Sequence, residues 1–128
     1  MRTDFLQVNK SSLNDWQEAL STKLVAKKGV EFYIIPVMNI SYFYCENRIT
    51  YLKDLSGNKF IIEKPLIELE SDLGKLQFLR VAKNILLNIN HILKFKSLEA
   101  GKIEVFTIDN SPIIVSQFYA ATFRKLFR

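Results

Sequence analysis

The feature that most constrains this chain is a succession of short runs of β-branched and aromatic residues, each closed by turn formers. The runs cover residues 30–37, 40–45, 49–55, 60–63, 91–96, 102–108 and 113–115. Side chains that branch at Cβ or carry rings pack well on a pleated surface and lose rotamer freedom in a helix, so these runs predict strands. Ser56-Gly57-Asn58 and Asp109-Asn110 tolerate the left-handed backbone of tight turns and mark the reversals. About seven short strands with two or three short helices place the chain in the mainly β class. A doubly wound nucleotide-binding fold would alternate strands with long helices, and that alternation is missing. At 128 residues the chain has the length of one domain.

Helical spacing occurs in three places. Ser12 is a plausible cap with Asp15 three residues on, and Leu13, Trp16, Leu20 and Leu24 recur at intervals of three and four, predicting an amphipathic helix over 12–26 that Lys27-Lys28-Gly29 ends. Such a stripe either docks on its own domain or serves as a linker or dimerisation helix. Pro65 opens a second helix, with Leu66, Leu69 and Leu73 on one side, Glu68, Glu70 and Asp72 on the other, and Gly74 as terminator. The tail 118–127, apolar at 119, 120, 123, 126 and 127 and interleaved with Arg124 and Lys125, predicts a third.

Several chemistries have no residues to carry them. One cysteine, Cys45, and one histidine, His91, cannot form an internal disulfide or a tetrahedral zinc site. No glycine-rich phosphate loop is present, and the chain has four glycines in all. Cys45 sits in an aromatic strand, far along the chain from His91, and reads as a small core residue rather than a nucleophile. Glu68, Glu70 and Asp72 fit a solvated helix face better than a metal site. No enzyme activity, cofactor or metal is expected. The amino terminus lacks a signal-peptide core, and no apolar run approaches the roughly 20 residues that span a bilayer, so a cytoplasmic protein without a membrane partner is expected.

The net charge of +5 is unevenly placed. Residues 78–97 hold Arg80, Lys83, Lys94 and Lys96 and no acid, whereas residues 63–72 hold four acids against Lys64. Amides accompany the cations at Lys83-Asn84 and at 88–90, with Asn47-Arg48 and Gln117 as further polar positions. Such side chains pair with phosphates and with the edges of guanine and adenine, so the pattern points to nucleic acid.

The segment 78–92, FLRVAKNILLNINHI, resembles the signature of the LytTR family of bacterial DNA-binding domains, approximately F-x-R-x-H-R-S/N-x-x-V-N-x-x-x-I. The order of elements around it is similar too: a strand leading to Glu46-Asn47-Arg48, a hairpin over 54–59, the helix of 66–73, and a closing strand Pro112-Ile113-Ile114-Val115-Ser116 before a Tyr119-containing tail. The resemblance spans residues 27–127. It implies an elongated, mostly antiparallel β fold, with 1–28 as linker or amphipathic helix and 29–128 as the DNA-binding domain.

It also implies the output domain of a transcription regulator, commonly downstream of a receiver domain and a sensor kinase, that binds double-stranded promoter DNA and often paired half-sites as a homodimer. In the family, loops rather than a recognition helix enter successive major grooves. Carried onto this sequence, the implied DNA-binding residues are Asn47, Arg48, Arg80, Lys83, Asn84, Lys94 and Gln117. Where the family usually has histidine and arginine, this chain has Ala82 and Lys83, and two further arginine positions are Gln117 and Phe118. An alternative therefore stands beside DNA reading: a protein-interaction module of the same fold, with Phe118 and the Trp16 stripe as its contact surface.

Overall fold

The computed structural model describes residues 22–74 and 77–127. Ten strands appear among them: β1 (Lys23–Lys28), β2 (Glu31–Pro36), β3 (Ile40–Glu46), β4 (Ile49–Asp54), β5 (Lys59–Ile62), β6 (Phe78–Ala82), β7 (Ile85–Asn88), β8 (Ile92–Ser97), β9 (Ile103–Thr107) and β10 (Pro112–Val115). Helix α1 (Leu66–Leu73) follows β5, and α2 (Gln117–Leu126) closes the chain. The strands form an antiparallel seven-stranded sheet in the order β2-β1-β5-β4-β3-β7-β6 and a three-stranded sheet in the order β10-β9-β8.

Two cores lie on opposite faces of the large sheet. Ile35, Ile40, Phe43, Leu52, Phe78 and Leu86 pack beneath Leu66 and Leu69 of α1. Val81 and Leu87 pack against Ile103, Val105 and Val115 of the small sheet and Phe123 of α2. Successive strand residues point to opposite faces, so Leu86 and Leu87 feed one core each, and Ile85–Leu87 of β7 is an unbroken apolar run because both faces of the strand are covered. The other half of that second face, across β2, β1 and β5, carries exposed Phe32, Ile34, Val25 and Ile61.

The seven strand runs read from sequence appear with their ends shifted by a residue or two, as do the helices after Pro65 and at the tail. Three strands were not expected. The pair β6 and β7 is hidden because its connecting Lys83-Asn84 contains no glycine or proline, so 78–90 shows no break that would divide it into two strands. The third is β1, which corrects the helix predicted over 12–26. Residues 12–21 lie outside the described residues, while Lys23–Ala26 is strand, with Leu24 and Ala26 turned inward and Lys23 and Val25 outward. A period of two with Leu24 opposite Ile35 and Ala26 opposite Tyr33 overrides a helical spacing that Leu24 merely extended.

Buried polar groups tie the end of β7 and the lead-in to β8 to the start of β3. Asn88 is fully buried; its Nδ2 donates to the Ile40 carbonyl at 2.8 Å, and its Oδ1 accepts from the Asn90 amide at 2.9 Å. His91 Nε2 donates to the Met38 carbonyl at 2.7 Å, and its Nδ1 is hydrogen-bonded with the Ser41 hydroxyl at 3.1 Å. Asn88→Ala strips a donor from the buried Ile40 carbonyl and a cap from the following turn. It should destabilise the fold by about 1 to 3 kcal/mol in urea unfolding, without changing the denaturant slope.

Candidate nucleic-acid interface

Strand β3 pairs with both β4 and β7, which places two hairpin turns side by side at one end of the large sheet. Asn47 and Arg48 form the two-residue turn from β3 to β4, with φ of 53° and 67°. Left-handed backbone at both positions matches the twist of a tight hairpin. Lys83 and Asn84 form the turn from β6 to β7. The turns are tied together: the Cys45 amide donates to the Asn84 carbonyl at 3.0 Å, and Asn84 Nδ2 donates back to the Cys45 carbonyl at 3.3 Å. All four turn residues are exposed. An open concavity of about 710 Å³ runs against them, with Arg48, Arg80, Lys83 and Asn84 in its lining and Ile49, Ile61 and Leu66 as its apolar part.

A third element lies beyond Asn84. The Ser116 amide donates to the Val81 carbonyl at 2.9 Å, fixing the start of α2 against the end of β6. Ser116, Lys102 and Asn84 line one groove between the two sheets, together with Tyr42 and Tyr44. Gln117 packs its aliphatic stem on Gly101, where even a Cβ would come within 3.3 Å of it, and Gly101 needs its φ of 74° to close the β8–β9 turn. Burial, reinforced by the Asp109 and Tyr44 charges and opposed by a hydrogen bond with Ser111, pushes the Tyr42 phenol above its usual range.

The acid-free run of 78–97 does not form one basic patch. Arg80 Nη2 pairs with Glu70 at 2.9 Å and Nη1 donates to the Lys83 carbonyl at 2.8 Å, with only 16% of its side chain exposed. Lys96 pairs with Glu104 at 3.5 Å. Lys94 stands apart on β8, its ammonium 5.1 Å from the centre of the Phe106 ring. Among the seven residues singled out from sequence, the fold thus gathers Asn47, Arg48, Lys83 and Asn84, sets Gln117 beside them, turns Arg80 inward and leaves Lys94 on the second sheet. Asn88, grouped with the polar amides, is likewise committed to the core. Lys102 was missed; its only signal was its place after Gly101 in a tight turn. Cys45 and His91 do not meet, since His91 is bonded to Met38 and Ser41.

The model of the LytTR family, described as the LytTr DNA-binding domain, matches residues 30–128. The chain belongs to the LytTR family. No curated protein matches it. Among solved structures it is similar to one described as the LytTr DNA-binding domain of a methyl-accepting/DNA response regulator from Bacillus cereus. The TM-score is 0.78 at 23% identity, covering 84% of this chain and 97% of that one. At that identity the likeness speaks for the fold, which is the elongated antiparallel LytTR fold expected from the signature. The family is one of DNA-binding domains rather than of enzymes. Among the described residues no helix is long and apolar enough to cross a membrane.

Within this LytTR domain the Asn47-Arg48 turn carries strain. Asparagine tolerates a left-handed backbone, whereas arginine pays a Cβ clash there that glycine would avoid. Arg48→Gly should therefore raise stability by about 1 kcal/mol in thermal or urea unfolding. A loss of stability would show that the arginine has a structural task instead.

Proposed function

We propose that this LytTR domain binds double-stranded promoter DNA sequence-specifically through loops and acts as the cytoplasmic output domain of a bacterial two-component regulator. The observation that carries the reading is the hydrogen-bonded pairing of the Asn47-Arg48 and Lys83-Asn84 turns, which presents two amides and two cations at one end of a rigid sheet. In this reading Lys83 and Arg48 contact phosphate or guanine, and Asn47, Asn84 and Gln117 read base edges, with Lys102 adding a phosphate contact from the neighbouring turn. Arg80 holds the Lys83 carbonyl instead of touching DNA, so it is a positioning residue. Lys94 contributes at most a phosphate contact at the periphery.

The family departures then have a physical meaning. An arginine fork grips guanine O6 and N7 in a plane, whereas Lys83 offers a rotating ammonium and Gln117 an amide suited to adenine. The preferred site should accordingly differ from one read by arginines at those positions. Receiver-domain control, a sensor kinase and dimeric binding to paired half-sites belong to the same proposal. The description of the Bacillus cereus protein as a response regulator supports receiver-domain control, while the sensor kinase and the paired half-sites are carried over from the family resemblance alone.

One observation favours a second reading. Phe118 is 84% exposed at the start of α2, where it meets Tyr119 edge-on at 5.0 Å between ring centres. That surface suits a protein partner, as expected of a domain that no longer reads DNA. Selection from a random duplex library, followed by anisotropy titrations at two salt concentrations, separates the readings. DNA reading predicts one enriched sequence, a steep fall of affinity with salt, and a salt slope reduced by about one in Lys83→Ala. Asn84→Ala should cost about 1 to 3 kcal/mol of discrimination at one base position. No enrichment above random duplex would favour the interaction module.

A further inference from the structure

Phe118 is the most exposed aromatic ring among the described residues. A lone exposed ring is ordinary on a protein surface, and it is position that gives this one a task. Phe118 is the second residue of α2, just past Ser116, whose amide is fixed to the Val81 carbonyl at the end of β6. Helical side chains lean toward the N-terminal end of their helix, so the ring leans toward the anchored end, where Ser116, Lys102 and Asn84 share a groove. The ring is steadied there by Tyr119, which meets it edge-on and itself packs on the second core. The same flank of α2 continues three and four residues on with exposed Ala121 and Thr122, and seven on with exposed Lys125. No acid occurs anywhere from Gln117 to Leu126. An apolar ring followed by small side chains and a lysine, with no anion on the helix, suits a groove walled by phosphates.

We propose that Phe118 reads thymine, its ring packing on the C5-methyl group in the major groove beside the base pairs met by Lys83 and Asn84. The inference rests on the DNA-reading proposal above and names one of its base preferences. The major-groove edges of the base pairs carry hydrogen-bond donors and acceptors, and the thymine methyl is the one apolar group among them. A phenyl ring satisfies none of the polar groups. Set against a G·C pair it strips water from guanine O6 and N7 or from the cytosine amino group and returns no hydrogen bond. Set against thymine it buries a methyl group at no such cost. Gln117, the residue before it, carries an amide suited to adenine, so the first two residues of α2 favour A·T pairs together.

Deoxyuridine differs from thymidine only in lacking that methyl, so replacing each thymidine of the enriched duplex in turn isolates the contact. Anisotropy titrations with the full chain should show one position at which the replacement weakens binding about fourfold, the worth of one buried carbon. Phe118→Ser should bind the thymidine and deoxyuridine forms at that position equally, and Phe118→Leu, still apolar, should keep a preference for thymidine. Both changes are at an exposed position, so far-UV circular dichroism should stay native. Equal responses of the unmutated protein and Phe118→Ser to deoxyuridine at every position would overturn the proposal. If Phe118→Ser then also binds the unmodified duplex as tightly, the ring is left to a protein partner; if it binds both forms more weakly by the same factor, the ring acts as a wedge between base steps. Failure of the selection to enrich any duplex is a separate result, which removes the DNA-reading proposal and this one with it.

Discussion

Everything that bears on recognition hangs from the pairing of β3 with both β4 and β7. Because β3 is antiparallel to each, the turn that leaves it and the turn that enters β7 must emerge at the same end. The reciprocal hydrogen bonds between Cys45 and Asn84 then fix the turns to one another, so that four polar side chains project from a common base. In the proposed reading, a loop displayed in this way loses little conformational freedom when it binds DNA.

The two cores make that base stiff. β7 is sandwiched between α1's core and the core of the small sheet, and β6 beside it supplies Phe78 to one and Val81 to the other. Arg80 connects the first core to the turn itself, with Glu70 on α1 at one end of its guanidinium and the Lys83 carbonyl at the other. A charge that looks available for phosphate is spent on holding its neighbour in place. The start of α2 is held in turn by Val81, so the third loop is referenced to the same strand.

How much of this was legible depended on the kind of signal. Runs of β-branched and aromatic residues closed by turn formers, such as β3 and β9, were plain, and so were the helix after Pro65 and the helical tail. Strands buried on both faces were not, because Ile85-Leu86-Leu87 has no alternation to read. The signature segment identified the family and located Lys83 and Asn84, yet linear charge misled. Arg80, Lys83, Lys94 and Lys96 are neighbours in sequence, but pairing with Glu70 and Glu104 and placement on a second sheet disperse them. Ion partners and sheet membership are long-range properties, and so is the proximity of Lys102 to Asn84, which comes from the packing of two sheets. Asn88 was visible as part of the signature, but its task is to hold the Ile40 carbonyl, which only the register reveals.

The central claim is that the two bonded turns and the start of α2 form the DNA face. Backbone amide chemical shifts followed during titration with a selected duplex test it most directly. Perturbations concentrated at Asn47, Arg48, Lys83, Asn84, Lys102 and Gln117, with Lys94 and the β1–β2 face little changed, are the predicted result. Perturbations centred on β8 or on the exposed Phe32 and Ile34, with both turns silent, would contradict it.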